Sequence, residues 1–365
     1  MRARLYPRAP LTSALFEEVP GVEVYTPNVP LEFSATAPPR TIQAERLESL
    51  HTIGTRRPPG DSPQGASIPN ARILPGEGLI TSADGRVLRD TLLDDEHYKR
   101  VQRQVRSRGR RSVRLSGEWA SLLSPWSENY FHWIIDCLPR MAVIQALGFG
   151  HLPVLVRGPL APFHKHCLSS LGVTFTCIAA DEDVQVDRLV WTSMPAPVNF
   201  PTPFLVEWLR RTLGAGRDRA GFRHLLVSRT GGGGLVNETE VLEALSPFGF
   251  ELVRSENLTH AEQVATFSQA AVIVGAHGAG LTNMVFSRDA RVLELFSAQY
   301  VPWHYYTLAQ AAGHEYWYAV GRTRVEARRT RHRGFEINVP LVVKTMGTML
   351  SPAPGQTRRP IGHRS

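Results

Sequence analysis

From residue 128 onward the chain alternates short β-branched apolar runs with stretches whose apolar residues recur at helical spacing. This alternation restricts it to α/β folds built on parallel sheets. Parallel neighbours need a crossover, and a helix is the usual one. The spacing predicts helix over 128–147, strand over 154–157, helix over 161–171, strand over 188–193 and helix over 204–213. It then predicts strands at 224–228, 251–254, 271–275 and 291–296, with helices at 238–245, 261–269, 280–286 and 303–312. A chain of 365 residues exceeds what one hydrophobic core usually holds. We therefore expect two Rossmann-like lobes, residues 116–215 and 216–320, joined by the glycine- and charge-rich stretch 214–221. Residues 1–115 are expected to form an irregular, partly β extension. Ten prolines lie between residues 7 and 63, and Asp84-Gly85 between apolar runs marks a hairpin. Residues 321–365 are expected to be a basic C-terminal segment.

A hydrophobic fraction of 42% with 20% charged residues is that of a soluble globular protein. The longest candidate for a membrane helix, Ala270–Leu281, falls short of the ~18 apolar residues required and contains His277 and three glycines. The basic start Met1-Arg-Ala-Arg is not followed by an apolar run, so a secretory signal is not expected and a cytoplasmic location is. Cys137, Cys167 and Cys177 form no C-x-x-C pair and are read as reduced, mostly buried thiols. The net charge of +8 and pI near 9.7 favour an anionic partner. The charge gathers in two arginine-rich stretches, 100–114 and 322–333, which lack interleaved stacking aromatics and any nucleic-acid-binding motif. Nucleic acid is therefore not expected as a partner. A solvated basic surface, or peripheral contact with an anionic membrane, is.

Chemistry concentrates in two segments. In Ala271-Val-Ile-Val-Gly-Ala-His277-Gly278-Ala279-Gly280-Leu281-Thr282-Asn283 an apolar strand runs into a glycine turn and then a helix. Glycines let backbone amides approach a ligand, and the first helical turn offers unpaired N–H groups that suit a phosphate. His277, Thr282 and Asn283 add side-chain hydrogen-bonding groups. A turn needed only for packing is the alternative. The pattern is neither a Walker A loop nor G-x-G-x-x-G. Ser228-Arg229 closes the preceding lobe strand and puts a guanidinium at the same sheet edge, where it could stabilise a departing diphosphate or merely end a strand. Gly231–Gly234 lacks ordered spacing and is read as a mobile loop. Glu294, inside the apolar run 292–296, is read either as a ribose ligand or as a strand-end residue facing water.

The second segment runs from Glu128 to Arg140. At about 100° per residue Asn129, His132, Trp133, Asp136 and Arg140 share one face, opposite Phe131, Ile134, Ile135 and Leu138, although Pro139 interrupts the helix before Arg140. His132 and Asp136, four apart, suit a carboxylate-oriented imidazole acting as a general base, or ordinary polar contacts at a helix start. Two ligands at this spacing do not make a metal site. Asp181-Glu-Asp183 spells D-x-D but falls in a short acidic loop before a strand, and is read as coincidence.

Together Asn129-Tyr-Phe-His-Trp-Ile-Ile-Asp-Cys-Leu-Pro-Arg140, Val227-Ser-Arg229 with Asn237-Glu238, and Val274-Gly-Ala-His-Gly-Ala-Gly-Leu-Thr-Asn283 with Leu293-Glu-Leu-Phe296 make the chain resemble glycosyltransferase family 61. Bacterial members of that family are often described as capsular polysaccharide biosynthesis proteins. The resemblance covers about 126–310. It implies a GT-B architecture and inverting transfer from a nucleotide sugar, usually UDP-linked, to a saccharide or lipid-linked acceptor, without a cofactor or essential metal. On this sequence it implies nucleotide diphosphate binding by Arg229, His277, Gly278, Gly280, Thr282 and Asn283. We add Ser228, Ala279, Leu281 and Glu294 to that donor set, and place Asn129, Trp133 and Arg140 beside His132 or Asp136 on the acceptor side. A pyruvyl or other sugar-modifying transferase, and a non-catalytic nucleotide- or glycan-binding protein, are the alternatives.

Overall fold

The computed structural model describes residues 12–30, 32–33, 37–44, 47, 50, 62–74, 78–92, 99, 111–214, 221–230, 232–323 and 334–351. Most of the stretch read as a linker, and most of both arginine-rich stretches, lie outside these residues. The chain divides into two compact units interleaved in sequence. Residues 1–35, 56–218 and 256–268 make the first, and residues 36–55, 219–255 and 269–365 the second.

The first unit carries a ten-stranded mixed sheet. Its strands are β1 (Ser13–Ala14), β2 (Glu23–Tyr25), β3 (Gly65–Pro69), β4 (Arg72–Ile73), β5 (Ile80–Thr81), β6 (Val87–Leu88), β7 (Arg111–Ser121), β8 (Val154–Arg157), β9 (Phe175–Ile178) and β10 (Glu182–Thr192). The order is β1-β6-β5-β4-β10-β7-β8-β9, with β3 also on β10 and β2 on β3. Only β10-β7-β8-β9 is a continuous parallel block, while β3 and β4 meet β10 antiparallel. This unit is therefore α/β but not purely parallel, because the N-terminal region expected as an extension supplies strands to the same sheet. The hairpin at Asp84-Gly85 forms, pairing Thr81 with Val87. Its helices are α1 (Tyr130–His132), α2 (Arg140–Ala146), α3 (Pro162–Leu171) and α4 (Pro203–Thr212). Phe16, Ile68, Leu155, Val184, Leu189 and Trp191 lie in its core.

Strand β7 was hidden within an arginine-rich stretch. Its apolar residues Val113, Leu115 and Trp119 do alternate, but Arg and Ser fill the other face. At Gly117 (φ 83°) the register against β10 slips between Val186 and Arg188, and Asp187 accepts hydrogen bonds from the Gly117 amide (2.8 Å) and Arg114 (2.9 Å). A left-handed bulge residue of this kind favours glycine.

The second unit is a six-stranded sheet in the order β12-β11-β13-β14-β15-β16. Strands β11 (Arg223–Val227), β12 (Phe250–Val253), β13 (Ala270–Ala276), β14 (Arg291–Ser297) and β15 (Glu315–Thr323) are mutually parallel, and β16 (Phe335–Glu336) is antiparallel at the edge. Counted from β11, the parallel order is 2-1-3-4-5. It reverses between β11 and β13, and in open sheets of this kind ligands bind beyond the strand ends at such a reversal. Helix α5 (Glu238–Leu245) links β11 to β12, and α7 (His304–Ala312) links β14 to β15. Helix α6 (His260–Phe267), although it lies between β12 and β13 in sequence, belongs to the first unit. Within the stretch read as a basic C-terminal segment, α8 (Val339–Leu350) buries Val342, Met346 and Met349 in the second core with Val241, Val274 and Leu293. Residues 37–44 also belong here. The Arg40 amide donates to Tyr316 O and the Tyr318 amide to Arg40 O.

Of the D-x-D residues, Asp181 lies in the turn before β10 and Glu182-Asp183 open the strand. Asp183, 1% exposed, accepts two hydrogen bonds of 2.5 Å from Arg72. A buried carboxylate stripped of its partner is expensive. Arg72→Ala should therefore lower unfolding free energy by about 3 kcal/mol, measurable by urea titration. A loss within ±0.5 kcal/mol would mean that the pair has no structural role.

Candidate active site

The ends of β11 and β13 bring the two best-marked residues of the second unit together. The chain leaves β11 through Val227 and Ser228 to Arg229, and leaves β13 through Ala276 to His277 and Gly278. The Arg229 guanidinium donates from Nη1 to the His277 carbonyl in a short hydrogen bond. A Cβ at Gly278 would lie 2.8 Å from Arg229 Cδ, which would have to shift, and one at Gly280 would make a tight 3.0 Å contact with Val227 Cγ1. Burial lowers the Arg229 pKa, with Tyr305 and Tyr300 opposing that shift. Ser228 donates to Glu238 Oε1 of α5 (3.0 Å). The Gly231–Gly234 run, read as a mobile loop, is tied down at Gly234. The Gly234 carbonyl accepts from the Phe335 amide (3.1 Å), and a Cβ there would sit 2.3 Å from Arg229 O.

Residues Ala279–Phe286 form 3-10 turns, not the α-helix expected. The first helical bond runs from the Leu281 amide to Gly278 O (2.9 Å), so the Ala279 and Gly280 amides lie ahead of it. Leu281, Thr282 and Asn283 are buried. Asn283 donates to Gly280 O (3.2 Å) and so braces the turn from inside, whereas the buried Thr282 Oγ1 makes no hydrogen bond among the described residues. Neither side chain has exposed surface.

Glu294 is neither at water nor open to a ribose. It is fully buried on β14. His277 Nδ1 lies 2.6 Å from its Oε1, and the Tyr316 phenol donates to its Oε2 at 2.5 Å. Burial, and next the Glu294 charge, raise the Tyr316 pKa well above its usual range, which keeps the phenol a donor. The His277 ring is held by its Nδ1 edge and enclosed by Phe296, Tyr300, His304 and Tyr305 at centroid distances of 5.1–6.0 Å. Tyr316 was missed because nothing in its local sequence marks it. Only the parallel pairing of β14 with β15 brings it to Glu294.

In the first unit Asn129 accepts from the Phe131 amide (2.9 Å) and the His132 amide (3.4 Å), acting as an N-cap. The expected single helix is α1, then a π-type turn over Trp133–Cys137, then α2 after Pro139. The predicted open polar face does not exist as such, since Trp133, Asp136 and Arg140 are all buried. His132 reaches the surface, with its side chain 20% exposed, and its Nδ1 is 2.6 Å from Asp136 Oδ2. Asp136 Oδ1 accepts from the Asn199 amide (3.3 Å). With Nδ1–H donated to the carboxylate, Nε2 keeps a lone pair for an incoming proton. Arg140 donates to Leu123 O (2.9 Å) and Thr192 Oγ1 (3.2 Å), and burial lowers its pKa to about 10. Among the described residues no group of three or more His, Cys, Asp or Glu side chains is arranged to hold a metal ion, and no helix is long and apolar enough to cross a membrane.

Residues 130–293, which contain His132, Asp136, Arg229 and His277, match the family model described as Glycosyltransferase 61. The match covers less than half of the chain. A β-1,2-xylosyltransferase, XAX1, of Oryza sativa subsp. japonica is 32% identical over 208 residues, which are 49% of this chain and 36% of that protein. The chain thus spans about a third of the length of the curated relative it matches.

The matched segment also contains a cluster that sequence reasoning did not single out. His260, at the start of α6, is buried with Nδ1 2.8 Å from His166 Nδ1 and Nε2 3.0 Å from the Tyr130 hydroxyl, two residues before His132. Burial, and secondly the His166 ring, lower the His260 pKa to about 4. The unfolded chain therefore binds the extra proton between about pH 6.5 and 4. Stability due to His260 should be complete above that window and lost as pH falls through it, by about 3 kcal/mol. Urea unfolding at pH 7 and pH 4.5 should show a smaller acid loss for His260→Gln than for the unsubstituted protein. Equal losses would assign the acid sensitivity elsewhere.

Proposed function

We propose that this chain is an inverting glycosyltransferase of GT-B type that transfers a sugar from a UDP-linked donor to a hydroxyl of a glycan or lipid-linked saccharide. The observation that carries the reading is the convergence of Arg229 and the His277 turn at the strand-order reversal of the parallel sheet. A guanidinium, the Ala279 and Gly280 amides and an oriented imidazole are the groups a diphosphate needs. The match of residues 130–293 to the family 61 model supports the reaction class, and the relative named a β-1,2-xylosyltransferase makes xylose the first donor sugar to try.

In this reaction the acceptor oxygen attacks the anomeric carbon from the face opposite the diphosphate. The new C–O bond forms as the bond to the phosphate oxygen breaks, and its electron pair leaves with the diphosphate. His132 Nε2 takes the hydroxyl proton while Asp136 holds Nδ1 and stabilises the imidazolium. Arg229 and the turn amides meet the charge growing on the leaving group, where fixed donors count most. We place the activity in surface-polysaccharide assembly at the cytoplasmic face of the membrane, and the excess of eight positive charges supports attraction to anionic lipid.

A thermal-shift screen of the purified protein against nucleotide sugars should give its largest stabilisation with a UDP-sugar. With that donor, Arg229→Ala should lower kcat by ~10²–10³-fold. A variant with undiminished kcat would remove Arg229 from the mechanism, and stabilisation by no nucleotide sugar at all would argue against the reaction class.

A further inference from the structure

The second unit holds a carboxylate that the proposed reaction does not itself need. Glu294 has no solvent exposure, and its two oxygens are engaged by His277 Nδ1 at 2.6 Å and by the Tyr316 phenol at 2.5 Å. A carboxylate that deep must find hydrogen-bond partners for both oxygens. Tyr316 supplies a neutral donor only. Arg229 turns its Nη1 to the His277 carbonyl, on the backbone side of the same residue. The His277 ring is the other partner of Glu294, and this contact becomes an ion pair only when the ring is protonated. The other polar groups around that ring are Tyr300, His304 and Tyr305, none of them a fixed charge. His277 is thus a titratable ring held at one nitrogen by a buried anion, beside the turn at which a diphosphate is proposed to bind.

We infer that donor binding is proton-coupled: His277 takes up a proton when a nucleoside diphosphate binds, and Glu294 and Tyr316 are the positioning residues that make this possible. This rests on the donor-site reading of the Arg229–His277 turn and adds to it the protonation state of the site. In the complex the imidazolium lies between two anions, donating Nδ1–H to Glu294 and Nε2–H to a phosphate oxygen. Both hydrogen bonds are charge-assisted, and the free protein offers only the first. Binding and protonation then favour each other by linkage, so affinity must weaken as pH rises through the titration of the bound complex. The Tyr316 phenol keeps Glu294 from turning away, which fixes the ring and its tautomer.

The test is calorimetric titration of the full chain with UDP at pH 6, 7 and 8, in two buffers of different ionisation enthalpy at each pH. The number of protons taken up per UDP bound follows from the difference between buffers. The terminal phosphate of UDP titrates in this range too, and comparison with variants cancels that contribution. Glu294→Gln and His277→Gln should bind UDP with several-fold lower affinity at pH 6, with the difference from the unsubstituted protein shrinking by pH 8 and the extra proton uptake gone. Tyr316→Phe should keep part of the uptake, and Glu294→Asp more than Glu294→Gln. His277→Gln, at a partly exposed ring, covers the case in which the buried Glu294→Gln substitution prevents folding. Equal proton uptake by the unsubstituted protein and His277→Gln overturns the inference while leaving the donor site standing. Absence of UDP binding by the unsubstituted protein overturns the donor-site reading and the inference together.

Discussion

The close approach of the Arg229 side chain to the backbone at Gly278 is the contact on which the site in the second unit depends. The guanidinium is anchored on the His277 carbonyl, and its aliphatic stem fills the space that a side chain at residue 278 would occupy. A Cβ there would crowd Arg229 Cδ at 2.8 Å, so the arginine stem would have to move away from the turn. The parallel pairing of β11 with β13 sets this up, because Val227 and Gly275 are register partners and the residues after them must leave the sheet side by side. Gly275 itself would place a Cβ 3.1 Å from Val227 Cβ, so the same pairing demands a minimal side chain one step earlier. Chemistry at this edge is a consequence of strand order and two missing methyl groups.

Much of this was legible in the sequence, and the reasons are local. A buried parallel strand reads as an uninterrupted apolar run, so β13 and β14 were visible, as were the glycines that must follow where backbone meets arginine. Helices α3, α4 and α5 carried their own apolar spacing. What escaped notice depended on partners far away in sequence. Strand β7 shows arginine and serine on its outer face, and β15 is rich in aromatics rather than β-branched residues. Helix α8 contains Pro340 near its start, in the first turn where proline is tolerated.

The candidate site divides along the same line. The contacts of His132 with Asp136 and of His277 with Arg229 were legible because each pair is marked by spacing or by a strand end. The burial of Glu294, Thr282 and Asn283 was not legible, because polar residues in such a segment look alike whether they face outward or inward. Burial decides between these. Thr282, Asn283 and Glu294 have no exposed surface, whereas the His277 ring keeps some. A polar side chain inside an apolar run is thus better read as support for a neighbouring functional group than as the functional group itself, provided the neighbour has a free hydrogen-bonding edge.

The two His–carboxylate pairs share a contact of 2.6 Å yet differ in what stands behind the carboxylate. Asp136 takes its second hydrogen bond from the Asn199 main chain, in a segment that ends in a left-handed residue (φ 69°), and His132 opens toward solvent. A general base requires this arrangement: its carboxylate must steady the imidazolium, and its Nε2 must remain accessible to an acceptor and able to release the proton afterwards. Glu294 instead rests on a phenol that burial keeps protonated, inside an aromatic enclosure that admits no water to the carboxylate. Water there would screen the charge that the imidazole is meant to feel. In the proposed reaction the dry pair would hold charge against an anionic ligand, and the exposed pair would pass a proton on. The same two side-chain types are distinguished here by solvent access.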